Sequence, residues 1–285
     1  MLAHAPVGPG GIWSAWSADP LVVAGLVIAS LWYRRGYVRR RRGATGGPAA
    51  RRAFAFAGAI AVIAIALLSP LDAMADALLT AHMVQHLLLL VVAPPLLVAA
   101  RPIATAIAAL PRGLRRTVVR VGSARAVVMI ARTLHRPVFA WVLLTIALWA
   151  WHAPSPYAWA IEHPAVHAVE HASFLLTATL GWSVALRARA RAPLGALGRA
   201  LFLVATAVQG GLLGAILLFA PRALYPVHGA GPATWGLTPL EDQQLAGALM
   251  WILPSAVYLT AAAAILFVAF RSWELRGRAD VEVVT

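Results

Sequence analysis

The sequence predicts an all-α integral membrane protein: a bundle of seven transmembrane helices, N-terminus outside and C-terminus cytoplasmic, forming a single transmembrane domain over residues 1–285. Three observations carry that reading. Hydrophobic residues fill 61% of the chain, charged residues only 12%, and the mean hydropathy is +0.77, whereas soluble domains are roughly one quarter charged. Seven apolar runs recur along the chain, most of them close to the ~20 residues that span a bilayer. Arginine, which supplies every basic side chain, is concentrated in alternate loops, the pattern expected when one side of the chain faces the cytoplasm.

The runs fall at about 20–33, 53–69, 78–100, 137–151, 164–186, 199–220 and 244–270. The residues before the first have no basic n-region and no small-residue cleavage site beside a short apolar core, so that span is expected to remain in place. The second follows Arg51-Arg52. The third contains Pro94-Pro95, which should kink or unwind it unless neighbours satisfy the freed carbonyls. Between the third and fourth runs lies PRGLRRTVVRVGSARAVVMIARTLHRP, a basic and apolar stretch that reads either as an interfacial helix on anionic lipid or as a solvated loop. The fourth run is short. Gly210, Gly211 and Gly214 thin the sixth and point to close helix packing, with Gln209 as a buried interhelical hydrogen-bonder.

Orientation follows from the arginines. Those at 34, 35, 39–42, 51 and 52, at 101–136, at 187–199 and at 271–278 all fall on one side of the seven-span layout, and only Arg222 falls on the other. The positive-inside rule makes the first side cytoplasmic. The formal net charge of +14 is therefore a topology signal, and a nucleic-acid partner is not expected. The chain has no cysteine, which excludes disulfides and thiolate metal sites.

Eight of nine histidines (His4, His82, His86, His152, His163, His167, His171 and His228) then lie in outer loops or the outer halves of spans, along with seven of the ten acidic residues. Four of them form two matching pairs, His82-Met83-Val84-Gln85-His86 and His167-Ala168-Val169-Glu170-His171. Residues four apart share a helix face, and both pairs lie within about 12 Å of the outer ends of their helices at ~1.5 Å per residue. Ser69-Pro70 precedes the first pair and Ser155-Pro156 the second, so spans 2–3 and 4–5 read as a parallel repeat that brings the four imidazoles together. Ionisable groups in a membrane are costly, and two such pairs at one depth point to a metal site. Imidazole suits Cu, Zn, Fe and Ni, while thioether tilts the choice toward Cu(I). Met250 and His152 are further candidate ligands, Met83 and Met74 weaker ones, and Glu170 and Gln85 are placed to orient the imidazoles.

Other chemistries fit parts of the pattern. His167-x-x-Glu170-His171 is the inverted zincin order, so a membrane-embedded zinc metalloenzyme is an alternative, with Glu241 or Asp242 as a further ligand. The matching pair with Gln85 in place of Glu argues instead for a repeated binding element without catalysis. Two histidines four apart on one helix cannot be the two axial ligands of one haem. A metal transporter remains an alternative, although the inner halves of the spans are almost free of ionisable groups.

These segments, with Trp151-His152-Ala153-Pro154 and Glu241-Asp242-Gln243-Gln244-Leu245-Ala246-Gly247-Ala248-Leu249-Met250-Trp251, resemble the CtaG family of polytopic cytochrome c oxidase assembly factors, over roughly residues 65–270. The resemblance implies a non-enzymatic role in maturing a caa-type oxidase at a bacterial plasma membrane. It implies copper binding or delivery on the outer face, with oxidase subunits and other copper chaperones as partners. His82, His86, His167 and His171 would be the ligands. Loops at 70–78, 152–164 and 221–242 would form the mouth of such a site.

Overall fold

The computed structural model describes residues 8–41, 47–187 and 194–284, and among them regular structure is helical throughout. His4, Arg42, Arg189 and Arg191 lie outside the described residues. The helices are α1 (Pro20–Arg41), α2 (Gly47–Leu68), α3 (Pro70–Ala77), α4 (Leu79–Leu87), α5 (Ala93–Ala100), α6 (Pro102–Ala109), α7 (Arg112–Gly122), α8 (Arg125–Leu134), α9 (Pro137–Trp151), α10 (Pro154–Glu162), α11 (Pro164–Leu186), α12 (Ala196–Phe219) and α13 (Pro239–Val284).

Among the described residues, five helical stretches are long and apolar enough to cross a membrane: Pro20–Arg40, Gly47–Leu68, Leu79–Ala100, Ala196–Phe219 and Pro239–Arg276. The short fourth run of the sequence is α9. Its 15 residues reach only about 22 Å at ~1.5 Å per residue, less than a bilayer core. It joins α8 at a bend of 68°, and the two together make a sixth stretch of sufficient length. The fifth run is α11, 23 residues long, made less apolar than the others by His167, Glu170 and His171. The polypeptide between α6 and α9 is helical, not an irregular loop. In α7, Leu114, Val118 and Val121 share a face opposite Arg112, Arg116 and Arg120, and in α8 Val127, Ile130 and Leu134 stand opposite Arg125 and Arg132.

Pro94-Pro95 does not break the third span. Its helix passes from α4 through a π-helical turn, Leu88–Val92, into α5, and such wider turns accommodate an interrupted hydrogen-bond ladder. Pro94 cannot donate to the Leu90 carbonyl, and the indole Nε1 of Trp182 on α11 donates to it instead at 3.2 Å. A neighbour thus supplies the missing donor.

The core lies between α4, α9, α11, α12 and α13, built around Met83, Leu144, Phe174, Trp182, Leu203 and Leu217. Large apolar side chains such as Leu21, Ile28, Ile216, Ile252 and Phe267 are exposed around the outside, as on a surface that meets lipid. α12 and α13 form the most extensive helix pair, and small residues let them approach. A Cβ on Gly214 would lie 2.7 Å from the Gly247 carbonyl oxygen, and one on Gly247 would lie 2.6 Å from that of Gly214. Gln209 on α12 accepts a hydrogen bond from Trp149 Nε1 on α9 at 2.9 Å, an interhelical bond as its position implied. Gly214→Val is expected to force the pair apart and cost about 1–3 kcal/mol, as overpacking does. Thermal unfolding in detergent checks this, with Gly25→Ala, whose Cβ meets nothing within 4 Å, as the control that should leave the transition near wild type.

The two ends of the bundle differ. At one end, Tyr33 Oη donates to the Arg52 and Ala100 carbonyls at 3.0 and 3.1 Å, and Arg39 donates to the Ala109 carbonyl at 2.7 Å. Arginines crowd here. The other end carries α3, α10, the start of α13 and the histidines.

Candidate metal centre

Two helix starts build the site. α4 begins at Leu79 and α11 at Pro164, each after one residue in extended conformation, Leu78 (φ −130°, ψ 126°) and His163 (φ −127°, ψ 103°). His82 and His167 are the fourth residues of their helices, and His86 and His171 follow one turn later on the same faces. The α4 start is held from a distance. Asp242 on α13 accepts hydrogen bonds from Leu79 N at 2.7 Å and Thr80 N at 2.9 Å, and the Thr80 hydroxyl donates to the Asp242 carbonyl at 2.9 Å. A carboxylate on these free N–H groups is a helix cap made in trans.

The four histidines converge. One ring nitrogen from each of His82, His86, His167 and His171 lies within 4.8 Å of the other three. Ring centroids are 4.2 Å apart within the first pair and 4.1 Å within the second, and His82 stacks on His167 at 5.1 Å. His82 and His86 are fully enclosed. Six ring nitrogens of the four have no hydrogen-bond partner among the described residues, although buried polar atoms are normally satisfied. Metal–imidazole bonds of about 2.0–2.1 Å put the nitrogens of a tetrahedral site about 3.4 Å apart, so the widest pair would close by up to about 1.4 Å to hold one ion.

Glu170 is fully buried beside the cluster, with Oε1 3.6 Å from His86 Nε2. That is too long for a hydrogen bond, and both carboxylate oxygens lack partners. Gln85, expected to orient an imidazole, turns away from them. Its amide donates to the Ala66 carbonyl and to Asp72 Oδ1, both at 2.8 Å, and so ties α4 to α2 and α3. Burial raises the Asp72 carboxyl to about 6, against the opposing Gln85 bond.

His152 and Met250 lie outside the cluster of four but next to it. His152 is 5.7 Å from His86 between ring centroids, and Met250 lines a cavity with both. His228, which has no role in the sequence pattern, sits beside the cluster, 6.5 Å from His82 between ring centroids. Its Nδ1 donates to the Asp76 carbonyl at 3.1 Å, so Nε2 accepts from the Tyr157 hydroxyl at 2.7 Å, and the Tyr157 ring lies 5.1 Å from His82. Burial pushes the Tyr157 phenol well above its usual value and lowers His228, which keeps both neutral. The loops at 70–78 and 221–242 close over the histidines here, since Gly231 packs directly on the Ala77 backbone. The cavity that reaches His167 and His171 is lined partly by α1 and α2, through Asp19, Val22 and Leu67, together with Asp72 and Pro164.

The Glu241-Asp242-Gln243 segment forms a structural joint. Glu241 is exposed and closes a capping box with Thr238, accepting from its N–H and hydroxyl at 2.8 Å. Asp242 is committed to α4. Gln243 accepts from Leu224 N and donates to the Leu217 and Arg222 carbonyls, which fastens the loop after α12. Neither acid is directed at the histidines as a further ligand.

No curated protein and no solved structure matches the chain. A family model described as cytochrome c oxidase caa3 assembly factor (Caa3_CtaG) matches residues 15–272, a stretch that contains both histidine pairs, the Trp151-His152 turn and the Glu241-Asp242-Gln243 joint. With nearly the whole sequence matched, the chain belongs to the Caa3_CtaG family of cytochrome c oxidase caa3 assembly factors.

Proposed function

We propose that this chain binds copper at His82, His86, His167 and His171 on the outer face of a bacterial plasma membrane, and that it passes the ion to, or holds it near, a subunit of the oxidase it helps to assemble. Copper is cargo here, and no catalysis is assigned. The observation that carries the reading is the enclosure of four imidazoles from two helices with six unpartnered nitrogens. An apo fold maintains so many unsatisfied polar atoms at a cost of about 1–3 kcal/mol each, which a bound cation would reverse. Imidazole suits copper, and the acidic lining at Asp19 and Asp72 favours a cation's approach.

The same proposal includes seven spans, with α8–α9 and α11 as the fourth and fifth, an outer N-terminus and a cytoplasmic C-terminus. The segregation of arginine to one end of the bundle supports that orientation. The parallel run of apolar helix, short Pro-initiated helix, single extended residue and histidine-bearing helix in α2–α3–α4 and α9–α10–α11 supports the repeat. Oxidase subunits and other copper chaperones are the proposed partners, within a lipid bilayer.

Metal analysis of the purified chain, wild type against His82→Ala, tests the site. Copper in the wild type and less of it in the variant is the expected result. Copper in neither, or equal copper in both, overturns the four-histidine assignment.

A further inference from the structure

A second cavity adjoins the histidine cluster, bounded by α4, α9, α12 and α13, and its lining includes Met83, His86, His152 and Met250. His152 follows the last residue of α9, and its place is fixed twice. Its Nδ1 lies 2.7 Å from the Leu148 carbonyl, and the Tyr225 hydroxyl donates to its own carbonyl at 2.6 Å. A carbonyl can only accept, so Nδ1 carries the proton. The two ring nitrogens meet a carbonyl and a thioether, neither of them an acid, and a buried imidazole without an anionic partner is neutral. The lone pair is therefore on Nε2, which lies 3.3 Å from the Met83 sulfur. A thioether has no hydrogen to give. Two Lewis bases thus face one another in the core with no proton between them.

That contact has the dimensions of a chelate. With bonds of about 2.0–2.1 Å to nitrogen and about 2.3 Å to sulfur, a nitrogen–sulfur separation of 3.3 Å subtends about 100° at a shared ion, close to a tetrahedral angle. Met250, buried on α13, brings a second thioether to the same cavity. One imidazole and two thioethers without a carboxylate form a soft set that selects Cu(I) over Zn(II). His86 lines this cavity and belongs to the cluster of four.

We propose that Met83, His152 and Met250 form a second, Cu(I)-selective position beside the four-histidine cluster, with His86 as the edge shared by the two. The proposal rests on the copper reading of the cluster for its cargo, but on different atoms for its site. An ion would pass from imidazoles toward thioethers by exchanging ligands at His86, without crossing solvent.

The test is an anaerobic titration of the purified full-length chain with Cu(I) against a colorimetric Cu(I) chelator, and separately with Zn(II). Wild type is expected to take two equivalents of Cu(I) and one of Zn(II). Met83→Leu/Met250→Leu, a nearly volume-conserving pair of changes, should lose one Cu(I) and keep Zn(II), which also reports an intact fold. His82→Ala/His171→Ala should lose Zn(II) and keep one Cu(I). X-ray absorption should show a copper–sulfur shell in the wild type that is absent from the methionine variant. A wild type that takes a single Cu(I), lost only with the histidines, overturns the second position and leaves the cluster standing. Retention of both equivalents and the sulfur shell by the methionine variant also overturns it, and absence of metal from every form removes both assignments.

Discussion

Replacing His82 and His171 together with alanine is expected to lower the copper affinity of the four-histidine cluster by more than about 100-fold and to leave a caa-type oxidase that depends on it without activity. Residues that merely orient metal ligands are worth about 10–100-fold in affinity, and here one ligand is removed from each helix pair. The variant chain should nevertheless persist in the membrane. His82 has no hydrogen-bond partner on either ring nitrogen, and His171 has none on Nε2. Replacing them removes buried unsatisfied groups, which offsets much of the cavity cost. Loss of oxidase activity at unchanged chain abundance separates a binding defect from a folding defect. Oxidase activity and copper content in membranes, read beside an immunoblot of the chain, provide the measurement. Full oxidase activity in the double variant would rule the histidine cluster out of assembly.

Local signals were the legible ones. The His-x-x-x-His spacing places each pair on one face of a helix, and the matched offsets from the two helix starts put the pairs at one depth, so a joint site could be read from residues within each segment. Partners far apart along the chain were not legible. Nothing near Pro94 announces that Trp182, on another helix, donates to the Leu90 carbonyl, so the proline pair reads only as a kink or unwound turn unless a neighbour intervenes, and which neighbour does so is not legible. The acids of Glu241-Asp242-Gln243 read as potential ligands because ligand and cap use the same carboxylate chemistry. Only the position of the α4 start distinguishes the two. Gln85 occupies the place that Glu170 has in the other motif, yet its amide is taken by Ala66 and Asp72, since α2 and α3 pack against that side of α4. The mutual orientation of His152 and Met83 depends on a turn at the end of α9, which helical spacing does not describe.

Asp242→Ala is expected to destabilise the chain by about 2–4 kcal/mol and to weaken copper binding without removing any ligand. The Asp242 side chain is fully buried and serves two backbone donors of α4, Leu79 N and Thr80 N, at 2.7 and 2.9 Å. A helix cap is worth about 1 kcal/mol when exposed, hydrogen bonds to a charged group about 1.5–3 kcal/mol, and here both donors would be left buried without an acceptor. His82 lies two residues beyond that second donor, in the same first turn of α4, so fraying of the α4 start displaces the imidazole that stacks on His167. Asp242→Asn should fall between wild type and alanine, because its one remaining oxygen can serve only one donor well while the amide nitrogen opposes the other. Glu241→Ala loses only the exposed capping box with Thr238 and should leave stability close to wild type, with copper affinity unchanged. Thermal unfolding in detergent and copper titration of the three variants order the series. A wild-type melting temperature and copper affinity in Asp242→Ala would show that the α4 start, and with it the first histidine pair, is held by something other than this cap.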